Sequence, residues 1–314
     1  MRNQKANMQE MLRALLLQHQ QNEKWSTASL YRYTLKSLNN FTGDKGVTFK
    51  AITPEWLKSF ESYLRANGCK WNTVSTYIRI LRTAYNRAVE YGLAPYKPYI
   101  FNKVYVGVET DKENALDVEV MARLINISMQ GSDILTPSDL KYLRIFVLLF
   151  YLRGLPFVDF AFMKKSELRG NIISYRRRKT GCHLTVEIIK PAAELIRQFV
   201  NHDPASPYLF PIIHHPDGSE EAFNEYSHAI RYFNKRLSSI SQKLNLNQRL
   251  SSYTARHTWA TMAFYCEISP GIISQAMGHS SIKITETYLK PFQHRVIHQA
   301  NRQVISYVLG KDEL

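Results

Sequence analysis

Ser251-Ser252-Tyr253-Thr254-Ala255-Arg256-His257-Thr258-Trp259-Ala260-Thr261, followed by Ala276-Met277-Gly278-His279-Ser280 and ending at Tyr288, is the stretch around which the chain is organised. An arginine at the start of an apolar helix precedes a Gly-His turn, and a tyrosine stands nine positions beyond that histidine. Arginine is a fixed cation whose fork matches phosphate oxygens. Histidine donates at neutral pH, and a tyrosine hydroxyl is a nucleophile once activated. The three side chains suit work on a phosphodiester. Taken singly they say less: Tyr288 is one of 19 tyrosines, and His279 after a glycine is an ordinary turn residue.

Upstream, Thr136-Pro137-Ser138-Asp139 is a cap-plus-proline helix start. It opens the most hydrophobic helix of the chain, with Leu140, Leu143 and Ile145 to Phe150. A helix apolar all round is a central core helix. Its pattern ends at Arg153-Gly154-Leu155-Pro156, where proline forbids continuation. Ile172 to Arg178 and Cys182 to Ile188 then alternate as two strands around Lys179-Thr180-Gly181, a β-hairpin with a lysine at its turn. Arg176, Arg177, Arg178 and Lys179 are four consecutive cations at that tip, placed to meet phosphates. Further helices are expected at about 191–202, 220–244, 254–266, 270–277 and 291–309, with residues 207–211 a connecting strand or turn.

In the first hundred residues four short helices alternate with tight loops. Met8, Met11, Leu12, Leu15 and Leu16 give the first helix, within residues 1–20. Ser26 is the expected N-cap of the second and Thr53, before Pro54, that of the third. Asn72 is expected to cap the fourth, which carries Val74, Ile78, Leu81, Tyr85 and Val89. Its outward residues include Lys70, Arg79, Arg82 and Arg87, a basic face suited to lie along DNA by phosphate contacts. Residues 93–115 lose helical periodicity, and two prolines with the charged run Glu109 to Glu113 mark a linker.

The 314 residues exceed one ordinary domain and suit two. With 45% hydrophobic and 12% aromatic residues, disorder is not the default. Lys and Arg number 41 against 26 acids, a net charge of +15. That excess favours a polyanionic partner, nucleic acid before membrane, since no lipidation motif or concentrated basic tail is present. No stretch is long enough to span a bilayer. Cys69, Cys182 and Cys266 lack metal-ligand spacing and are expected as reduced, mostly buried thiols. The terminal Lys311-Asp312-Glu313-Leu314 spells an ER-retention address, taken as coincidental because no secretory signal accompanies it.

Ala255 to Thr261 and Met277 to Tyr288 resemble boxes of the tyrosine recombinase (lambda-integrase-like) family, site-specific recombinases of bacterial mobile-element type. The resemblance covers roughly residues 10–310, and its most specific part is the box from His279 to Tyr288. It implies a mainly α fold: an N-terminal four-helix core-binding bundle at residues 1–100 that closes over double-stranded DNA and a linker at 101–115. A larger catalytic domain with a small β-sheet or hairpin follows at 116–314. It implies Tyr288 as nucleophile, forming a 3′-phosphotyrosyl bond. Arg256 and His279 would neutralise the transition state, and Lys179 on the hairpin would protonate the leaving 5′ oxygen. That bond conserves the phosphodiester energy, so neither metal, ATP nor any cofactor is required. The family further implies a homotetramer on DNA passing through a four-way junction, its C-terminal helix docked on a neighbour. Accessory DNA-bending proteins are candidate partners, and a cytoplasmic, nucleoid-associated location is expected.

Two departures stand out. Tyr253 occupies the place where the family usually has histidine. The family's first arginine follows a Gly-Leu pair, and here Gly154-Leu155 is followed by Pro156. Arg153, three residues earlier, is expected to supply that guanidinium, on the ground that positions i and i+3 share a helix face. Asp159 matches the family's downstream acid, and His257 is assigned to packing. Pro156 and Tyr253 keep open a degenerate DNA-binding homologue without catalysis. A type IB topoisomerase-like enzyme, using similar chemistry on one duplex, is the other alternative.

Overall fold

The computed structural model describes residues 7–43, 46–108, 114–289 and 294–310. The charged run at 109–113 and the terminal Lys311–Leu314 lie outside the described residues. The chain divides into two compact units. One is Met1–Thr110 with Gly218–Phe223, and the other is Asp111–Asp217 with Asn224–Leu314.

The first unit holds α1 (Met8–Gln21), α2 (Trp25–Thr42), α3 (Pro54–Ala66) and α4 (Trp71–Glu90). Asn7 and Glu10 form a reciprocal capping box at the start of α1, and the Thr53 side chain accepts from Trp56 N at the start of α3. Leu12, Leu38, Leu57, Phe60, Ile78 and Leu81 are fully buried in one core. Each such side chain contributes about 1.5–3 kcal/mol by leaving water. Two expected caps shift. α2 starts after Lys24 rather than at Ser26, and α4 starts after Lys70, which makes no side-chain cap bond, so Asn72 falls inside its first turn. Arg79, Arg82 and Arg87 stand exposed on α4, with Arg87 paired to Glu90 at 3.0 Å.

The second unit contains α5 (Val118–Gln130), α6 (Pro137–Tyr151), α7 (Phe157–Ala161), α8 (Lys190–Phe199), α9 (Glu220–Lys243) from Asn224 onward, α10 (Ser252–Tyr265), α11 (Pro270–Ala276), α12 (Ile282–Glu286) and α13 (His294–Leu309). Between α7 and α8 runs a three-stranded antiparallel meander, β1 (Leu168–Arg169), β2 (Ile172–Arg176) and β3 (His183–Glu187), in the order β1-β2-β3. Ile173 pairs with Val186 and Tyr175 with Leu184, and these four side chains turn inward. Thr136 and Asp139 form a capping box at the start of α6. Asp139 is fully buried and receives Arg236 at 2.6 Å and Lys243 at 2.7 Å, so its charge is paired on two sides. Leu143 and Phe146 to Leu149 are fully buried, as expected of a core helix.

The fold is mainly α with one small antiparallel sheet, as the sequence implied. The expected start of the last helix at Pro291 lies outside the described residues. The three cysteines are free, but Cys182 and Cys266 are exposed rather than buried. Cys182 lies in the hairpin loop and Cys266 at the C-cap of α10, positions that face solvent because the chain turns there. Among the described residues no helix is long and apolar enough to cross a membrane.

Candidate active site

Ser251 caps α10, its side chain accepting from Thr254 N, and the helix carries Arg256 inward until only 2% of it is exposed. Arg256 Nη1 donates to Gly154 O at 2.8 Å, and Nη2 donates to Met277 O at 2.7 Å. Three segments distant in sequence thus meet on one guanidinium. Gly154 has φ +66, and a Cβ there would lie 2.6 Å from Arg256 Cα. Only a glycine permits both that backbone conformation and that approach.

His279 follows Gly278, whose φ is +62. Its Nε2 lies 2.9 Å from Arg256 Nη2 and its Nδ1 2.8 Å from Thr285 Oγ1. A guanidinium only donates, so Nε2 accepts and the ring proton sits on Nδ1, donated to the fully buried Thr285. Burial, then the charges of Arg256, Arg177 and Lys179, push the His279 pKa down to about 3. The sequence-based expectation of a donor at neutral pH is therefore corrected for this arrangement: His279 is neutral, and its Nε2 is an acceptor.

Tyr288 is 8% exposed and belongs to a small cluster with Ala260, Ala263, Ile273, Met277 and Leu289. Its backbone carbonyl accepts from Thr261 Oγ1 at 3.1 Å. The phenol ring lies 4.9 Å from the His279 ring and 4.5 Å from that of His257, and the Arg256 guanidinium carbon is 5.7 Å from its centroid. His257 thus packs on Tyr288, in keeping with its structural assignment. Tyr253 is half-exposed, with its ring 6.3 Å from that of His257. Burial of its hydroxyl, then the neighbouring Tyr288, raises its pKa.

The hairpin loop joins this cluster. Gly278 O accepts from Arg177 Nη1 at 2.6 Å and from Thr180 Oγ1 at 3.1 Å. Lys179, between these two, is exposed, and its charge reaches His279. Of the four consecutive cations at the hairpin tip, Arg177 turns inward and is 3% exposed. Arg178 is more exposed, but its fork is held by Asp217 at 2.8 and 2.7 Å and lies 4.0 Å over the Phe162 ring. Arg176 faces outward and donates to Gly181 O within its own loop. Asp159 is buried, and its Oδ1 accepts from Arg178 N at 2.8 Å. Burial raises its pKa, against the lowering effect of the Arg178 N–H bond and of Arg177 and Arg256.

Arg153 departs from the geometry expected of it. α6 ends at Tyr151 with Leu152 as its C-cap, and Arg153 takes φ +60, so it shares no helix face with Pro156. Its Nη1 donates to Thr185 O at 3.2 Å, on β3. Arg79 and Arg82 belong to the other unit, on α4. Motif spacing did not single out Thr285, Thr261 or the inward turn of Arg177. For Arg177 a signal existed: in an extended segment Ile173, Tyr175 and residue 177 point to one side. Among the described residues no group of three or more His, Cys, Asp or Glu is placed to hold a metal ion.

Residues 7–104 match the phage integrase SAM-like domain and residues 114–295 the phage integrase family. The chain belongs to the phage integrase family, the tyrosine recombinases. Its fold is similar to that of the Tn1549 transposon integrase in complex with transposon right end DNA, at TM-score 0.68 and 14% identity, covering 96% of this chain and 100% of that one. It is also similar to a lambda integrase dimer bound to a COC′ core site, at TM-score 0.61 and 14% identity, covering 84% of this chain and 88% of that one. A lambda integrase tetramer bound to a Holliday junction aligns at TM-score 0.60 and 13% identity, over 84% of this chain and 72% of that one. No curated protein sequence matches the chain closely enough to count as a relative.

Proposed function

We propose that this recombinase cuts and rejoins double-stranded DNA at specific sites through a 3′-phosphotyrosyl intermediate on Tyr288, with no metal or ATP. The observation that carries the proposal is the convergence of Tyr288, His279 and Arg256, with the guanidinium carbon 5.7 Å from the phenol ring and 2.9 Å between Nη2 and Nε2. Tyr288 Oη attacks the scissile phosphorus, its proton passing to solvent water as the O–P bond forms. The bond to the 5′ oxygen breaks, and Lys179, exposed on the hairpin loop, gives that oxygen its proton. The pentavalent state carries extra negative charge on its non-bridging oxygens, which the buried Arg256 neutralises. Tyr253 adds one neutral hydrogen bond where the family carries histidine. A 5′ hydroxyl from a second duplex reverses the attack, which restores the phosphodiester.

The wider arrangement belongs to the same proposal. Residues 1–100 form a core-binding domain that grips DNA with Arg79 and Arg82, residues 101–115 link it, and 116–314 form the catalytic domain. On the hairpin side the exposed Arg176 is the leading phosphate contact, with Arg178 sharing its fork with Asp217. Four protomers act on one synapse, since two duplexes must each be cut on both strands, and accessory DNA-bending proteins assist. The protein works in the cytoplasm at the nucleoid, on behalf of a mobile element. The structural relatives described above, an integrase on transposon-end DNA and another as a tetramer on a Holliday junction, support this assignment.

The test starts from sheared genomic DNA of the source cell, from which covalently bound fragments are recovered after denaturation and sequenced. A duplex of the enriched sequence, nicked beside the cut position, then traps the intermediate. An adduct with recombinant product is the expected result. An adduct with relaxation alone would indicate a topoisomerase, and binding without adduct a degenerate homologue.

A further inference from the structure

We infer that Arg177, not Arg153, is the second phosphate-binding arginine of this active site, filling from the hairpin the place that Pro156 leaves without a cation. The inference rests on the phosphodiester chemistry proposed above and assigns it a catalytic residue from a different part of the chain.

Arg177 and Arg256 are built alike. They are 3% and 2% exposed, and they donate to the carbonyls of successive residues, Arg256 Nη2 to Met277 O at 2.7 Å and Arg177 Nη1 to Gly278 O at 2.6 Å. In each the Nε is buried without a hydrogen-bond partner. Gly278 makes the arrangement feasible, because a Cβ there would lie 3.2 Å from Arg177 Cδ and 3.0 Å from Leu184 Cδ1. The other end of Arg177 is anchored too, its backbone N donating to Cys182 O at 2.8 Å.

Charge is the stronger argument. Two buried guanidiniums stand close enough that Arg177 lowers the pKa of Arg256, after burial itself. Among the described residues neither has a carboxylate within ion-pair distance. Asp159 is the one buried acid in their field, and its Oδ1 is occupied by Arg178 N. Burying a cation without a partner costs several kcal/mol. Two cations against one carboxylate leave the pocket a net positive charge, which a phosphodiester neutralises and a pentavalent phosphate, carrying one charge more, neutralises better. Arg153 is placed differently: it is only partly buried, and its Nη1 donates to Thr185 O on β3 rather than to the Met277 and Gly278 carbonyls that hold the other two arginines.

The experiment uses the full chain and the nicked duplex described above, in two forms: an ordinary scissile phosphate and a methylphosphonate, whose methyl group removes the negative charge. Wild type, Arg177→Met, Arg177→Lys, Arg153→Ala and Arg256→Ala are compared for DNA binding, strand cleavage and melting. Arg177→Met is expected to bind the phosphate duplex and to cleave it about 10²–10³-fold more slowly, the scale for one preorganised donor. On the methylphosphonate its deficit should vanish, because the charge it served is gone. Arg177→Lys keeps the charge without the fork and gives the same pattern at smaller amplitude. It therefore decides the matter if the methionine variant does not fold. Arg153→Ala should cleave like wild type.

Cleavage at the wild-type rate by both Arg177 variants would overturn the inference. A deficit equally large on the methylphosphonate would mark Arg177 as merely structural and overturn it as well. Loss and methylphosphonate rescue in Arg153→Ala would return the role to Arg153. A wild-type protein that forms no adduct would remove the phosphodiester chemistry itself, and this assignment with it.

Discussion

Gly154→Ala tests whether the turn after α6 is shaped by its contact with Arg256. Two costs add at this position. At φ +66 a Cβ meets the left-handed penalty of about 1–2 kcal/mol. The same Cβ would stand 2.6 Å from Arg256 Cα and 3.1 Å from its Cβ and Cγ, and relieving such overpacking costs about 1–3 kcal/mol more. Gly170 is the internal control: its φ is +61, and nothing lies within 4 Å of its virtual Cβ, so Gly170→Ala incurs the first cost alone. At about 2–4 °C per kcal/mol for a unit of this size, Gly154→Ala should melt about 2–12 °C below Gly170→Ala. Because Gly154 O also holds Arg256 Nη1 at 2.8 Å, the shift moves the guanidinium, and misplacement by an ångström costs about 10²-fold in rate. Differential scanning fluorimetry reads the first effect and adduct formation on the nicked duplex the second. Equal melting of the two variants, with Gly154→Ala cleaving normally, would show that the close approach does not govern Arg256.

The His279 pKa of about 3 lies below the value near 6.5 of the unfolded chain, so the unfolded state binds the extra proton first. Stability from this site is complete above pH 6.5 and lost as pH falls toward 3, and His279→Ala should flatten the melting-temperature profile in that window. Thr285→Val removes the acceptor for the Nδ1 proton, leaving a donor unpaired at a cost of about 1–3 kcal/mol. Slower cleavage and a lower melting temperature are expected, and no change in either would remove Thr285 from the site. DNA affinity should fall with a log–log salt slope of about −5 to −9 if about 6–10 phosphates are contacted, and a flat response measured by fluorescence anisotropy would contradict that. Tyr253→His, restoring the family residue, should leave adduct formation intact or raise it. Tyr253→Ala without effect on cleavage would reduce the position to packing.

Much of this arrangement is legible in the residues. Thr53-Pro54 and Thr136-Pro137 mark α3 and α6 because cap and proline act locally, and both caps form. The hairpin follows from alternation broken by Lys179-Thr180-Gly181. The order Arg256, His279, Tyr288 foretells a meeting that α10 to α12 bring about. The rest depends on tertiary contacts. Ser26 and Asn72 are capable caps that the chain passes over, each lying inside the first turn of a helix that starts after Lys24 or Lys70. His279 looks like a donor until Arg256 occupies its Nε2. Arg153 looks helical until the chain turns left-handed at that residue. α12, only five residues long, has too little periodicity to be seen, yet it carries the Thr285 that fixes the His279 proton.

The most direct measurement is the site of attachment of DNA to protein. The adduct formed on the nicked duplex is digested with nuclease and protease, and the nucleotide-bearing peptide is located by mass spectrometry. A 3′-phosphate joined to Tyr288, with no adduct from Tyr288→Phe although that variant still binds the duplex, is the predicted result. Attachment at another residue, or an undiminished adduct from Tyr288→Phe, would contradict it.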